Sequence, residues 1–141
     1  MIKIAHRGNF EGTNPELENR PDYIQAAINA GFFVEVDVWK IDNNWFLGHD
    51  SPQYKINFPF LNDHRLYLHC KNLAALTDLT SKLTKCDFFA HNNDDWVLTD
   101  KGQIWTYPWK ETGPNSIIVD FSVNAISNHS NIYGLCADYL I

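Results

Sequence analysis

The amino-acid sequence predicts an α/β fold built on parallel strands. Three observations predict it. Short β-rich runs alternate with helical segments through the front of the chain, an order that pairs strands in parallel through right-handed crossovers. His6, Asp37, His69, Lys71 and His91 each fall at or just before the end of such a run, and α/β folds collect their chemistry at the carboxyl ends of parallel strands. With 141 residues, 45% of them hydrophobic and 14% aromatic, the chain suffices for one core, so residues 1–141 are expected to form a single domain.

Ile2 to His6 is the first strand, and the Gly- and Asn-bearing loop from Gly8 to Pro15 leaves its carboxyl end. Asn19 or Asp22 caps a helix with Pro21 in its first turn; Tyr23, Ala26, Ala27 and Ala30 share one face and Gly31 ends it. Residues 33–39 form the second strand. Asp42-Asn43-Asn44 turns the chain into Trp45-Phe46-Leu47-Gly48, a hairpin that returns His49-Asp50 toward that strand. Arg65 to Cys70 is the third strand, Leu73, Leu76, Leu79 and Leu83 line one face of a second helix, and Asp87 to His91 is the fourth strand. Helices almost vanish beyond this point. Trp96 to Thr99 and Gln103 to Tyr107 flank an Asp100-Lys101-Gly102 turn, and Ser116 to Phe121 and Leu135 to Leu140 complete the strands. Trp105, Tyr107 and Trp109 alternate and can share one side of a strand, either as a pocket wall or as filling for the core or an interface.

The formal charge of -6 argues against a nucleic-acid or anionic-membrane surface, since either needs a basic stripe to meet phosphates or headgroups. Cys70, Cys86 and Cys136 are odd in number, lack metal-type spacing and sit in apolar or strand-like contexts, so they are expected as buried thiols in a reducing compartment. The N-terminal residues run straight into strand and site, with no apolar stretch long enough for export or spanning. The expected location is cytoplasmic.

The chemistry starts at Phe33-Val34-Glu35-Val36-Asp37-Val38-Trp39. Two positions apart on a strand, Glu35 and Asp37 point to the same face. Their like charges repel, and burying the pair without a cation would cost several kcal/mol or keep one protonated, so a hard divalent metal is the natural partner. Around this pair stand His6-Arg7-Gly8, Glu18-Asn19 and His49-Asp50. A phosphodiester is negatively charged and repels nucleophiles, so a metal and Arg7 suit its oxygens, while two imidazoles can pass protons near neutral pH.

This order of motifs resembles the glycerophosphodiester phosphodiesterases and the wider phosphatidylinositol-phospholipase-C-like superfamily. The likeness is dense over residues 4–50 and continues more loosely through Leu68-His69-Cys70-Lys71 and Cys136-Ala137-Asp138-Tyr139. Asn14-Pro15-Glu16-Leu17-Glu18-Asn19 and Ile104-Trp105-Thr106-Tyr107-Pro108 look like a short branch of that superfamily. The resemblance implies a TIM-type (β/α) barrel with Mg or Ca on the carboxylates. It further implies His6 and His49 as the catalytic histidines, Arg7 and Lys71 as phosphate ligands, and Glu35, Asp37 and Glu18 as metal ligands. His69 departs from the family, which usually carries a carboxylate there. An imidazole suits Mn or Zn better than Mg or Ca, so His69 is either a metal ligand that shifts the metal or a substrate contact.

A full α/β barrel takes about 250 residues. The expectation is therefore a reduced barrel with few helices in its second half, or an open incomplete one, whose bare side a homodimer or larger oligomer would cover. The expected activity is metal-dependent cleavage of a small glycerol- or sugar-phosphate diester. A lyase releasing a cyclic phosphate and a protein that binds the phospho-ligand without turnover are the alternatives. Which histidine is acid and which base is left open.

Overall fold

In the computed structural model, which describes residues 1–141, the elements run β1 (Ile2–His6), α1 (Pro21–Asn29), β2 (Phe33–Ile41), β3 (Asn44–Leu47), β4 (Tyr54–Ile56), α2 (Phe58–Leu61), β5 (Leu66–Cys70), α3 (Leu73–Thr80), β6 (Asp87–Phe89), β7 (Trp96–Leu98), β8 (Ile104–Thr106), β9 (Ser116–Val119), α4 (Ala125–Asn128) and β10 (Gly134–Ala137). All strands join one ten-stranded sheet. Its parallel part runs β6-β5-β2-β1-β10-β9-β8. Antiparallel additions are β3 on the second half of β2, β4 on β3, and β7 on β8. The parallel pairing expected for the front of the chain is present.

The TIM-type barrel is not. Strands hold 33% of the residues and helices 18%, and the mixed sheet curls into a half-barrel without helices alternating around it. The cause is local. Helices α1 and α3 follow β1 and β5, but β7 and β8 are joined by the Asp100-Lys101-Gly102 turn, and an antiparallel hairpin needs no crossover helix. No ladder joins β6 to β8, so the curl stays open. Trp96 and Leu98 of β7 are exposed on this uncovered side.

Alternation along the strands separates two cores. Val34, Val36, Val38, Leu66 and Leu68 face outward and pack with Ile24, Ala27 and Ile28 of α1 and Ala75 and Leu79 of α3. Inside the curl, Ile4, Tyr67, Phe89, Trp105, Ile117, Val119 and Cys136 form the floor beneath the site. The buried helix faces are rotated from those the sequence predicts. On α1, Ala26 and Ala30 are exposed, because the two isoleucines bury far more area than alanines and decide which side docks. Its N-cap is Arg20 rather than Asn19 or Asp22. On α3, Leu73 opens the helix and Leu83 lies beyond its end, and both are exposed.

Strand β8 ends at Thr106, so the aromatic alternation stops contributing to one face: Trp105 is buried, Tyr107 half-buried, and Trp109 is 92% exposed with φ 67°. All three cysteines are free and buried. No helix is long and apolar enough to cross a membrane.

Candidate active site

The inner face of β2 carries the carboxylates. Because Val34, Val36 and Val38 take the outer face, Glu35 and Asp37 turn into the curl, 3% and 1% exposed. Register then fixes their neighbours: Glu35 lies beside His6 of β1 and Asp37 beside His69 of β5. His69 Nδ1 is 3.0 Å from Asp37 Oδ1 and 3.8 Å from Glu35 Oε1. One ligand atom from each of Glu35, Asp37 and His69 falls within 4.8 Å of the others.

Arg7 follows β1 in the left-handed region, φ 54°, held by its N–H donating to the Glu35 carbonyl at 2.9 Å. Its Nε lies 3.2 Å from Asp37 Oδ2 and its Nη1 donates to Glu18 Oε2 at 3.1 Å. Gly8 continues this turn at φ 93°, where a Cβ would sit 2.8 Å from Tyr23. Asn19, φ 64° and 1% exposed, clasps Asp37 twice: Nδ2 donates to Oδ2 at 2.9 Å and Oδ1 accepts from the Asp37 N–H at 3.0 Å. Glu18 also accepts from Asn9 Nδ2, and it stands outside the Glu35, Asp37 and His69 group.

His6 shares a 2.8 Å hydrogen bond from Nδ1 to Asp138 Oδ1 and packs on Phe121, centroids 4.6 Å apart. Asp138 accepts also from Asn9 and Thr13. His49 is positioned by Gly48, φ 152°, whose N–H donates to the Asp37 carbonyl. Its Nδ1 pairs with Asp50 at 2.8 Å, and its side chain is 42% exposed at the rim. Lys71 leaves β5 with its N–H on the Val38 carbonyl. His6, Arg7, Glu35, His49, His69 and Lys71 line one cavity of about 280 Å³. Glu18 instead lines a second cavity of about 430 Å³, which shares Arg7 and His49 with the first.

Burial pushes the Glu35 carboxyl up, and neighbouring Asp37 pushes the same way. For Asp37, burial also favours the neutral acid, but the His69 imidazole, Arg7 and the Asn19 amide outweigh it and hold the carboxylate ionised. For His6, burial acts downward, yet the Asp138 hydrogen bond and the Glu35 charge carry the net shift upward. His91 goes the other way, to about 4, through burial and the neighbouring His69.

Several participants are invisible in a residue-by-residue reading. Asp138 is one, and its signal is positional: Ala137 pairs with Ala5, so the next residues of β10 and β1 meet at the strand ends. His91, which the sequence places at a strand end and at the start of a polar loop able to supply a further site group, lines the cavity with its ring stacked on His69 at 4.7 Å and tilted against Tyr107 at 4.2 Å. Phe121, which the sequence places at the end of a strand, lies beyond β9 and walls His6.

The group Glu35, Asp37 and His69 fits a divalent cation on an observation independent of any resemblance. Asp37 Oδ1 is buried without an aligned hydrogen-bond partner although it faces an imidazole nitrogen, and two carboxylates plus one imidazole form a common donor set. Comparison with family models, with curated proteins and with solved structures finds no match for this chain.

Proposed function

We propose that this chain is a metal-dependent phosphodiesterase that cleaves a small glycerol- or sugar-phosphate diester. One observation carries the reading: His6, His49, Arg7, Lys71, Glu35 and His69 line a single cavity of about 280 Å³. A cavity of that volume suits a small polar headgroup better than a long acyl chain.

In this reading Arg7 and Lys71 bind the phosphate oxygens and orient the diester. Glu35, Asp37 and His69 would hold the divalent ion, which supplies Lewis acidity toward a phosphoryl oxygen. The imidazole of His69 makes Mn or Zn a better match than Mg or Ca. Asp138 keeps the His6 imidazole oriented through Nδ1 and favours its protonated form, so His6 is the donor to the leaving alkoxide. His49, paired with Asp50 at the rim, takes the proton from the attacking oxygen. The floor of Phe89 and Trp105 excludes water from one side.

The test is turnover of a panel of glycerol- and sugar-phosphate diesters with Mn, Zn, Mg and Ca. Activity that disappears with chelator and falls about 10² to 10⁴-fold in His6→Ala and His49→Ala is expected. Phosphorus NMR of the product separates hydrolysis from release of a cyclic phosphate. Binding of a diester without turnover under every metal would overturn the enzymatic reading.

A further inference from the structure

We propose that Arg7 is exchanged between two sets of partners, the Asp37 and Glu18 carboxylates when no divalent cation is bound and the substrate phosphate when one is, so that cation and phosphate bind cooperatively. This rests on the phosphodiesterase reading.

The contacts of Arg7 divide sharply between backbone and side chain. Its backbone is fixed at both ends, by the N–H to the Glu35 carbonyl at 2.9 Å and the carbonyl to the Asn19 N–H at 3.1 Å. The guanidinium is held by charge. It lies against Asp37 Oδ2 at 3.2 Å and Glu18 Oε2 at 3.1 Å, yet Nε is buried with no aligned acceptor, so the Asp37 contact is an ion pair without a good hydrogen bond. Arg7 also forms part of the wall common to the two cavities, of about 280 and 430 Å³. A side chain anchored at its Cα and bordered by open volume on two sides can change partners without moving the fold.

Charge gives the direction of the coupling. A guanidinium neutralised by two carboxylates attracts a phosphate weakly. A divalent cation on Glu35, Asp37 and His69 cancels much of the field that holds Arg7 on Asp37, leaving the guanidinium to an incoming anion. Linkage makes the effect reciprocal: phosphate draws Arg7 off Asp37 and tightens cation binding by the same factor.

Calorimetric titration of inorganic phosphate, with and without saturating Mn²⁺, reads the coupling directly. Phosphate affinity is expected to rise about 5- to 150-fold with Mn²⁺, the usual span for coupled sites. Direct attraction between cation and phosphate would also raise it, so Glu18→Gln decides between the two. Loss of one carboxylate hold should raise the Mn²⁺-free affinity more than the Mn²⁺-bound affinity, shrinking the ratio. Arg7→Lys, whose single ammonium cannot span Asp37 and Glu18, should shrink it too and serves if Glu18→Gln does not fold. An unchanged ratio in the folded variant overturns the exchange. Mn²⁺ that binds, with phosphate affinity indifferent to it, overturns the exchange and spares the metal site. Mn²⁺ that does not bind overturns both.

Discussion

His6 and Asp138 stand at the ends of adjacent parallel strands and share a 2.8 Å hydrogen bond through Nδ1 and Oδ1. Burial opposes protonation of His6 and the carboxylate outweighs it, so the imidazolium persists above its ordinary range. If His6 donates to the leaving group, the rate holds below its raised pKa and falls as pH rises through it. Asp138→Asn should move that limb to lower pH and reduce kcat, while His6→Ala removes the limb. The pH–rate profile checks this. Stability follows the same sign: the contribution of His6 is full below about pH 6.5 and lost as pH rises through its folded value. An unshifted limb in Asp138→Asn would remove the positioning role.

Cation binding at Glu35, Asp37 and His69 should be visible without substrate. At a metal concentration 100-fold above Kd, linkage stabilises the fold by about 2.7 kcal/mol. For a chain of this length that raises Tm by roughly 5 to 10 °C. Mn or Zn should act at lower concentration than Mg or Ca, and His69→Asp should shift the preference toward Mg and Ca because it replaces the nitrogen donor by oxygen. Thermal melts across the four metals measure it. Equal melts with and without metal, in the wild type and in Asp37→Asn alike, would leave the trio an internal polar network.

Asn19 is the support of Asp37. Asn19→Gly keeps the left-handed backbone but removes two hydrogen bonds to a buried carboxylate and its N–H, a loss of about 1 to 3 kcal/mol. Asn19→Ala loses the same hydrogen bonds and keeps a Cβ at φ 64° without the local side-chain hydrogen bonding that lets asparagine tolerate that region, so it falls about 1 to 2 kcal/mol below the glycine variant. Urea unfolding should rank the wild type above the glycine variant and the glycine variant above the alanine variant. Reversal of the last two would place the importance of Asn19 in its backbone-independent contacts.

The front of the site was legible because a strand's period of two is a local property. Glu35 and Asp37 share a face whatever the rest of the chain does, and Val34, Val36 and Val38, which alternate with them, show which face is dry. His6 and His69, which register sets beside the two carboxylates, were reached through motif order, whereas a role for Asp138 was not legible. Asp138 reaches His6 only because β10 lies beside β1, a pairing across almost the whole chain. Closure of the sheet was misjudged for a related reason. Motif order implied a reduced TIM-type barrel with few helices in its second half, whereas the hairpin of β7 and β8 and the absence of a helix before β9 leave a mixed-sheet half-barrel. Positions of apolar residues predicted that α1 and α3 form, but not which face docks, since several faces of a short helix carry leucine or alanine.

The docking faces of α1 and α3 can be tested apart from any activity. Ile24 of α1 and Leu79 of α3 are fully buried against the outer side of the sheet, while Leu73 is 76% exposed and Leu83 is 100% exposed. Truncating a buried aliphatic side chain removes its transfer free energy and leaves a cavity, so Ile24→Ala and Leu79→Ala should each cost about 2 to 5 kcal/mol. Leu73→Ala and Leu83→Ala should fall within about 0.5 kcal/mol of the parent, because neither side chain leaves water on folding. The four variants measured by urea unfolding discriminate between the two helix faces. If Leu83→Ala proved as costly as Leu79→Ala, the helix would continue past Thr80 and dock through the leucine stripe that sequence spacing suggests.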